Sequence, residues 1–187
     1  MRVGFLTRAW RRLRIDTRGV AAVEFALVVP AVILVYAVGF EVTEAGTVYR
    51  KLTDTTVQLA NVTSQYTSMS TTDVGNVLDA SVQIMTPYPT SNITAVLTEV
   101  KVNANKKGVV QWSCGYPSGT SPLATSSKVT MPTGFQTSGS YFILVQTTYS
   151  YQPTIGSAFM HQPIAMTNQI FMLPRASSSI TGPSTCP

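Results

Sequence analysis

A single carboxylate, Glu24, interrupts the otherwise uncharged apolar segment from Val20 to Phe40. A charged side chain at the bilayer centre costs about 2.5–3.5 kcal/mol on insertion scales, so such a residue usually has a partner or a function. If the chain were cut after Gly19, Glu24 would be the fifth residue of the product, and the new ammonium group of Val20 would need an anionic partner. Glu24 would be available as that partner. A carboxylate that simply reaches the lipid headgroups is the alternative.

The other titratable residues form no catalytic pattern. The one histidine, His161, has no nucleophile and orienting acid placed around it in the sequence. Two distant cysteines and one histidine are not a metal-ligand set. We interpret four scattered carboxylates as solvated surface charges: Asp54, Asp73, Asp79 and Glu99. We therefore expect a protein that is not an enzyme and that holds no metal and no cofactor.

The apolar segment has the length of a membrane span. Its 21 residues, 20–40, cover a hydrocarbon core of about 30 Å at 1.5 Å per residue. The segment is longer than the apolar region of a secretory signal peptide, and no small-residue cleavage site follows it. We predict a transmembrane helix over 20–41, preceded by a basic leader over 1–19.

The charges around this segment predict its orientation. Six arginines precede it: Arg2, Arg8, Arg11, Arg12, Arg14 and Arg18. The positive-inside rule then places the N-terminus in the cytoplasm and the rest of the chain across the membrane. The six arginines and Asp16 give the segment before Gly19 a net charge of +5. The rest of the chain is neutral, because seven basic and seven acidic residues follow Gly19, so the leader accounts for the whole net charge of the chain. No basic patch is left for a phosphate backbone, so we expect no nucleic-acid partner.

The residues around Gly19 resemble the processing sites of type IV-type prepilins, which carry a short basic leader, a glycine, and a glutamate five residues after the cut. An aromatic residue often follows that glutamate, as Phe25 does here. The closest resemblance is to the TadE-like minor pilins, or pseudopilins, of the Tad (Flp) pilus system. It rests on the stretch Arg18-Gly19-Val20-Ala21-Ala22-Val23-Glu24-Phe25-Ala26-Leu27-Val28-Val29-Pro30. A weaker resemblance lies in Tyr149-Ser150-Tyr151-Gln152-Pro153 and in Pro174-Arg175.

The resemblance implies that a membrane prepilin peptidase cleaves between Gly19 and Val20, and that Glu24 serves recognition or assembly. It also implies a bacterial inner-membrane protein with a periplasmic C-terminal domain, which takes part in pilus assembly and surface adherence. The implied partners are the peptidase, other pilin and minor pilin subunits, the inner-membrane assembly platform and the lipid bilayer. An uncleaved, membrane-anchored binding or scaffold module of an envelope secretion system is the alternative, and it needs neither Gly19 nor Glu24.

The two cysteines, Cys114 and Cys186, both lie beyond the predicted span. An oxidising periplasm favours a disulfide between them, which would tie the C-terminus to the middle of the chain. Two unpaired thiols stay possible at this point, because the spacing of cysteines does not determine their geometry.

After the span, the sequence predicts an amphipathic helical extension over 42–66. Its apolar positions recur every three or four residues: Ala45, Val48, Leu52, Thr55, Leu59, Val62 and Tyr66. Packing of this stripe on the chain's own domain is favoured over packing on other subunits, because a sheet in that domain needs a cover.

Residues 67–187 predict an α+β domain with a small antiparallel sheet. The apolar spacing from Val74 to Met85 predicts a second helix, capped by Thr71 or Thr72. We predict a hairpin of 93–102 and 109–112, a long loop over 116–139 with at most a short strand or helix, and strands over 141–151 and 169–173.

Overall fold

The structure is a computed structural model, and it describes residues 19–158 and 162–187. It has an α+β fold with a long N-terminal helix, a second helix and one antiparallel sheet, so the predicted class is confirmed. The chain divides into two compact units, with the boundary between Thr43 and Glu44.

Helix α1 runs from Val20 to Thr63 and contributes to both units. It contains Pro30 in its interior. The extension predicted over 42–66 is helical but ends three residues early, because the chain turns after Thr63. That turn is closed by hydrogen bonds such as the one from the Tyr66 amide to the Thr63 carbonyl, at 3.1 Å.

The second part of α1 is rich in threonine, a residue that lowers helix propensity. Several of its hydroxyl groups donate to the backbone carbonyl four residues earlier. Thr53 bonds to Tyr49 at 3.0 Å, and Thr56 bonds to Leu52 at 2.7 Å. These bonds keep the hydroxyl groups satisfied within the helix, which lets threonines occupy buried helical positions.

The buried side of α1 in the second unit matches the predicted stripe over most of its length. The buried residues are Val48, Leu52, Thr55, Thr56, Leu59, Ala60 and Thr63. They pack on the chain's own sheet and second helix, which was the favoured interpretation. The prediction is wrong at Val62, which lies 36% exposed on the outer surface.

Helix α2 runs from Thr71 to Val82. Its N-cap is Ser70, not Thr71 or Thr72 as predicted. The Ser70 hydroxyl accepts a hydrogen bond from the Asp73 amide, and the Asp73 carboxylate accepts one from the Ser70 amide at 2.9 Å. This reciprocal capping box satisfies backbone donors that the first turn of a helix leaves unpaired.

The sheet has five strands in the order β3-β2-β1-β4-β5, and all neighbours are antiparallel. The strands are β1 (Ile93–Val102), β2 (Gly108–Tyr116), β3 (Lys128–Val129), β4 (Tyr141–Tyr151) and β5 (Ile164–Met172). The predicted hairpin and the strand over 141–151 are confirmed. The last strand begins five residues earlier than predicted.

The sheet is covered on both faces. One face packs against α1 and α2, through residues such as Leu59, Leu78 and Leu97. The opposite face packs against the predicted long loop, which contains β3 and a short 3-10 turn at Thr133–Phe135. Because β-strand side chains alternate between faces, the uninterrupted burial from Leu97 to Val100 shows that this part of β1 is covered on both faces, whereas Thr94 and Lys101 are exposed.

Candidate functional site

The residues of the predicted processing site lie at the beginning of α1. Val20 is the first residue of the helix, and it is 60% exposed. Glu24 and Phe25 follow in the second turn, and Phe25 is 71% exposed. The arginines assigned to the topology signal, Arg8, Arg11, Arg12, Arg14 and Arg18, lie outside the described residues.

Val20 and Glu24 are four residues apart in one helix. Residues at this spacing lie on the same face, with their Cβ atoms about 5–6 Å apart. A new ammonium group on Val20 would add positive charge to the positive end of the helix dipole. A carboxylate one turn later on the same face offsets that charge, so the helix places the two groups of the predicted ion pair within reach.

The first part of α1 exposes its apolar side chains. Leu27, Ile33 and Leu34 are each more than 60% exposed. The helix is long and apolar enough to cross a membrane, and none of its most apolar stretch is buried. A helix that served as the core of this domain would bury such residues, so this surface is available to lipid or to other apolar helices.

A groove of about 410 Å³ lies between α1 and α2 in the second unit. Its walls include Val62 and Tyr66, two members of the predicted stripe: Val62 is exposed, and Tyr66 is half-buried against the core. Val77 and Ala80 of α2, and Ile84 just after α2, complete its apolar lining. The end of the stripe thus lies on the surface between the two helices.

Glu99 is a buried carboxylate that our sequence analysis wrongly interpreted as a surface charge. It is 3% exposed and lies at a β-bulge, where Gln111 of β2 has no partner on β1. Its Oε1 accepts a hydrogen bond from the Ile180 amide at 2.5 Å. Burial raises the pKa of Glu99, while the hydrogen bond from the Ile180 amide acts in the opposite direction.

The partner of Glu99 belongs to the C-terminal segment, 173–187, which crosses the helix side of the sheet. The Trp112 indole donates to the Ile180 carbonyl at 2.9 Å. Gly182 packs so closely on this indole that a Cβ there would lie 2.2 Å from the ring. Sequence reasoning gave no signal for this contact, because 68 residues separate Trp112 from Ile180.

A disulfide between Cys114 and Cys186 fixes the end of the same segment to β2. Two backbone hydrogen bonds join Thr181 to the turn between the helices, one with Thr67 and one with Met69. The Arg175 amide donates to the Ser64 carbonyl at 2.7 Å. The C-terminal segment therefore joins the sheet to the connection between α1 and α2.

The residues of the weaker resemblance are structural in this fold. Tyr149 and Tyr151 of β4 are buried beneath α1, in a cluster that contains Val48 and Leu52. Burial raises the pKa of Tyr149, which keeps its phenol neutral. These aromatic side chains fill the core and hold α1 on the sheet.

Within residues 19–158 and 162–187, no group of three metal-ligating side chains comes together. His161 lies outside the described residues. Of the carboxylates in the second unit, four lie on α1 or α2 and Glu99 lies in the interior.

Comparisons with protein-family models, with curated proteins and with solved structures found no significant match for this chain. The functional interpretation therefore rests on its own residues and on their geometry.

Proposed function

We propose that this chain is a TadE-like minor pilin, or pseudopilin, of a Tad (Flp) pilus, cleaved by a prepilin peptidase between Gly19 and Val20. One observation carries the proposal: the motif residues occupy the first turns of a helix whose apolar side chains are exposed. Cleavage after Gly19 leaves the new ammonium group at the first residue of α1. Glu24 then lies one turn away on the same face.

The carboxylate and the ammonium group have a physical reason to pair. Each charge alone is penalised in an apolar environment, and an ion pair made there compensates both. The pair forms either within one chain or between Glu24 of one subunit and the ammonium of its neighbour. In both cases, only a processed chain has the second charge at the start of the apolar helix.

The apolar part of α1 supplies two successive environments in this proposal. Before assembly, its exposed side chains face the lipid of a bacterial inner membrane. During assembly, they pack against the equivalent helices of other pilin and minor pilin subunits, at the inner-membrane platform. The chain performs no catalysis here, because it is the substrate of the peptidase and then a part of the pilus.

The second unit has the features of a stable domain that lies outside the cytoplasm. Its half of α1 is covered by its own sheet and by α2. A disulfide secures the C-terminal segment. Disulfides persist in the periplasm and outside the cell, which agrees with the proposed location.

The mass of the protein purified from its native membrane tests the proposal. We expect a mature chain that begins at Val20. An intact chain that begins at Met1, in cells with an active prepilin peptidase, contradicts the proposal and favours the uncleaved scaffold module.

Two variants separate recognition from insertion. Gly19→Val places a branched side chain at the proposed cut, where the structure leaves open space around the glycine. We expect it to remain uncleaved, whereas Gly39→Val, at an equally open position of α1, serves as the processed control.

Glu24→Leu should insert in the membrane but fail in processing, in assembly, or in both. Normal pilus production by Glu24→Leu would count against the role of this carboxylate.

A further inference from the structure

The charges of the second unit are segregated. Its acidic side chains lie on the helices or in the interior: Glu44 and Asp54 on α1, Asp73 and Asp79 on α2, and the buried Glu99. Three of its seven basic residues, Lys106, Lys107 and Lys128, line one pocket at the end of the sheet formed by the β1–β2 connection and β3. No acidic side chain lines this pocket. We call it the lysine pocket.

The lysine pocket has a volume of about 450 Å³, within the range of small-ligand sites. Besides the three lysines, its polar lining consists of Asn105, Thr130 and Gln136. Its apolar lining is Val129 and Met131. It thus combines cationic groups, neutral hydrogen-bonding groups and a small apolar surface.

The loop that carries two of the lysines has a defined backbone. The Asn103 side chain accepts hydrogen bonds from the amides of Asn105, at 2.9 Å, and of Lys107, at 3.0 Å. The Lys106 amide donates to the Asn103 carbonyl at 3.0 Å. Lys106 has a φ of 59°, in the left-handed region, which a non-glycine residue seldom adopts. The positions of Lys106 and Lys107 are therefore set by the loop itself.

The apolar side of the pocket is also held in place by packing within the protein. Met131 is 3% exposed and packs against the first residue of β2, Gly108. A Cβ at Gly108 would lie 2.7 Å from the Met131 sulfur and 2.5 Å from Val100. Only glycine allows this close approach. The pocket therefore exists before any ligand binds.

The three lysines have no counter-charge. Among the described residues, none of the three ammonium groups forms an ion pair or a hydrogen bond. Lys51 behaves differently, because its ammonium donates to the carbonyls of Ile84 and Thr86. Grouped ammonium groups without acidic neighbours raise the local concentration of anions. The pocket is therefore complementary to a negatively charged ligand.

We propose that the lysine pocket binds an acidic sugar residue of a polysaccharide. The ammonium groups of Lys106, Lys107 and Lys128 would bind its carboxylate or phosphate. The Asn105 amide and the Thr130 hydroxyl would bind its hydroxyl groups, and the half-buried Val129 would pack on the apolar face of the ring. This inference goes beyond the pilus role and does not depend on it.

The neutral groups favour a sugar over a bare anion. A free phosphate would use the ammonium groups and leave the amide and apolar lining without a function. Sites for small organic ligands typically combine an apolar lining with a few placed polar groups. The acid group of such a sugar is either a carboxylate or a phosphate ester.

The test measures binding of the full chain, in a nonionic detergent, to three polysaccharides: polygalacturonate, a phosphorylated mannan and neutral dextran. We expect binding of polygalacturonate, of the mannan or of both, and none of dextran. The polymer that binds identifies the acid group. Binding should weaken as salt is raised, because salt screens exposed charges.

A pair of triple variants provides the decisive comparison. Lys106→Gln/Lys107→Gln/Lys128→Gln removes three exposed positive charges from the pocket, and we expect at least a tenfold loss of affinity. Arg50→Gln/Lys101→Gln/Arg175→Gln removes three exposed positive charges elsewhere in the second unit and should change affinity less than twofold. The arginines before Gly19 give the same background in both variants.

Several results would overturn the proposal. They are the absence of binding to both acidic polymers, equal binding of dextran, and equal losses in the two triple variants. The last result would show a general charge effect.

Asn105→Ala gives a separate check on the neutral contacts, since it keeps every charge. It should weaken binding of the acidic polysaccharide severalfold, and unchanged affinity would contradict the proposed mode of binding.

Discussion

The two parts of helix α1 use their side chains in opposite ways. From Val20 to Thr43 the helix is strongly apolar, and its side chains are exposed. From Glu44 to Thr63 it is richer in threonine and charge, yet seven of its residues are buried. The more polar part is the one that packs in the protein. Composition alone therefore did not determine which part belongs to the core of the domain, whereas the spacing of its apolar residues indicated it.

Each unit also contains one carboxylate in an apolar stretch of sequence. Glu24 is exposed at the beginning of α1. Glu99 is buried in the sheet, where it accepts a hydrogen bond from the Ile180 amide. An exposed carboxylate on an apolar helix is available to a partner outside the chain, while a buried one already has its partner. Glu99 therefore has a structural role, whereas the role of Glu24 in assembly belongs to the proposed function.

The same substitution in the two parts of α1 gives the largest expected contrast. Leu52→Ala removes a fully buried side chain and should lower the free energy of unfolding of the second unit by about 2–5 kcal/mol. Leu34→Ala removes a side chain that is 63% exposed, and the change should stay within about 0.5 kcal/mol. Urea unfolding of the full chain in detergent, followed by near-ultraviolet circular dichroism, measures both. Equal losses would contradict the assignment of the two parts.

The dependence of stability on pH sharpens the comparison of the carboxylates. Because burial raises the pKa of Glu99 in the folded state, the folded protein holds this proton at pH values where the unfolded chain has lost it. The resulting stability is present below the unfolded pKa, about 4.3, and is lost as the pH rises through the folded pKa. Relative to Glu99→Gln, the wild type should lose up to about 1.4 kcal/mol per pH unit in that interval. Unfolding titrations between pH 4 and pH 8 measure this difference.

Asp73 provides the control of opposite sign. Its hydrogen bonds with Ser70 lower its pKa. The stability from Asp73 is therefore present above the unfolded pKa and is lost as the pH falls through the folded pKa. Asp73→Asn should have a lower free energy of unfolding than the wild type at neutral pH, and nearly the same free energy of unfolding in acid. Parallel pH profiles for wild type and Glu99→Gln would mean that folding leaves the pKa of Glu99 unchanged.

The smallest expected effect concerns a local feature of the second unit. Ser70→Ala removes the N-cap of α2 and should lower the free energy of unfolding by about 1 kcal/mol. Ser178→Ala, at an exposed position of the C-terminal segment, is the matched control. The same urea titration measures both variants. An equal effect of the two would show that the cap contributes nothing beyond the loss of a hydroxyl group.

Elements defined by short-range patterns were predictable. The strand at Tyr141–Tyr151, the hairpin and the two helices all follow from apolar spacing and from turn residues close in sequence. The cap of α2 was missed by one residue, since several hydroxyl residues precede that helix. The start of β5 was missed because its polar centre, 167–169, hides the pattern of a strand.

The candidate processing site is a local feature of the sequence, and its processing stays a prediction. Gly19, Val20 and Glu24 need only one helix to acquire their relative positions. The lysine pocket was not predicted, because it joins Lys106 and Lys107 to Lys128 through the pairing of β2 with β3. That pairing depends on a two-residue strand in a segment that we had interpreted as a loop.

The sequence by itself determined the apolar helix, its carboxylate and the order of the two helices and of β1, β2, β4 and β5, because periodicity and charge act over a few residues. Only the tertiary structure decided that Glu99 is buried and that Ile180 satisfies it. The fold likewise decided that Cys114 and Cys186 meet, and that three lysines share a pocket. These features depend on residues far apart in the chain, and packing of the sheet, the helices and the C-terminal segment brings them into contact.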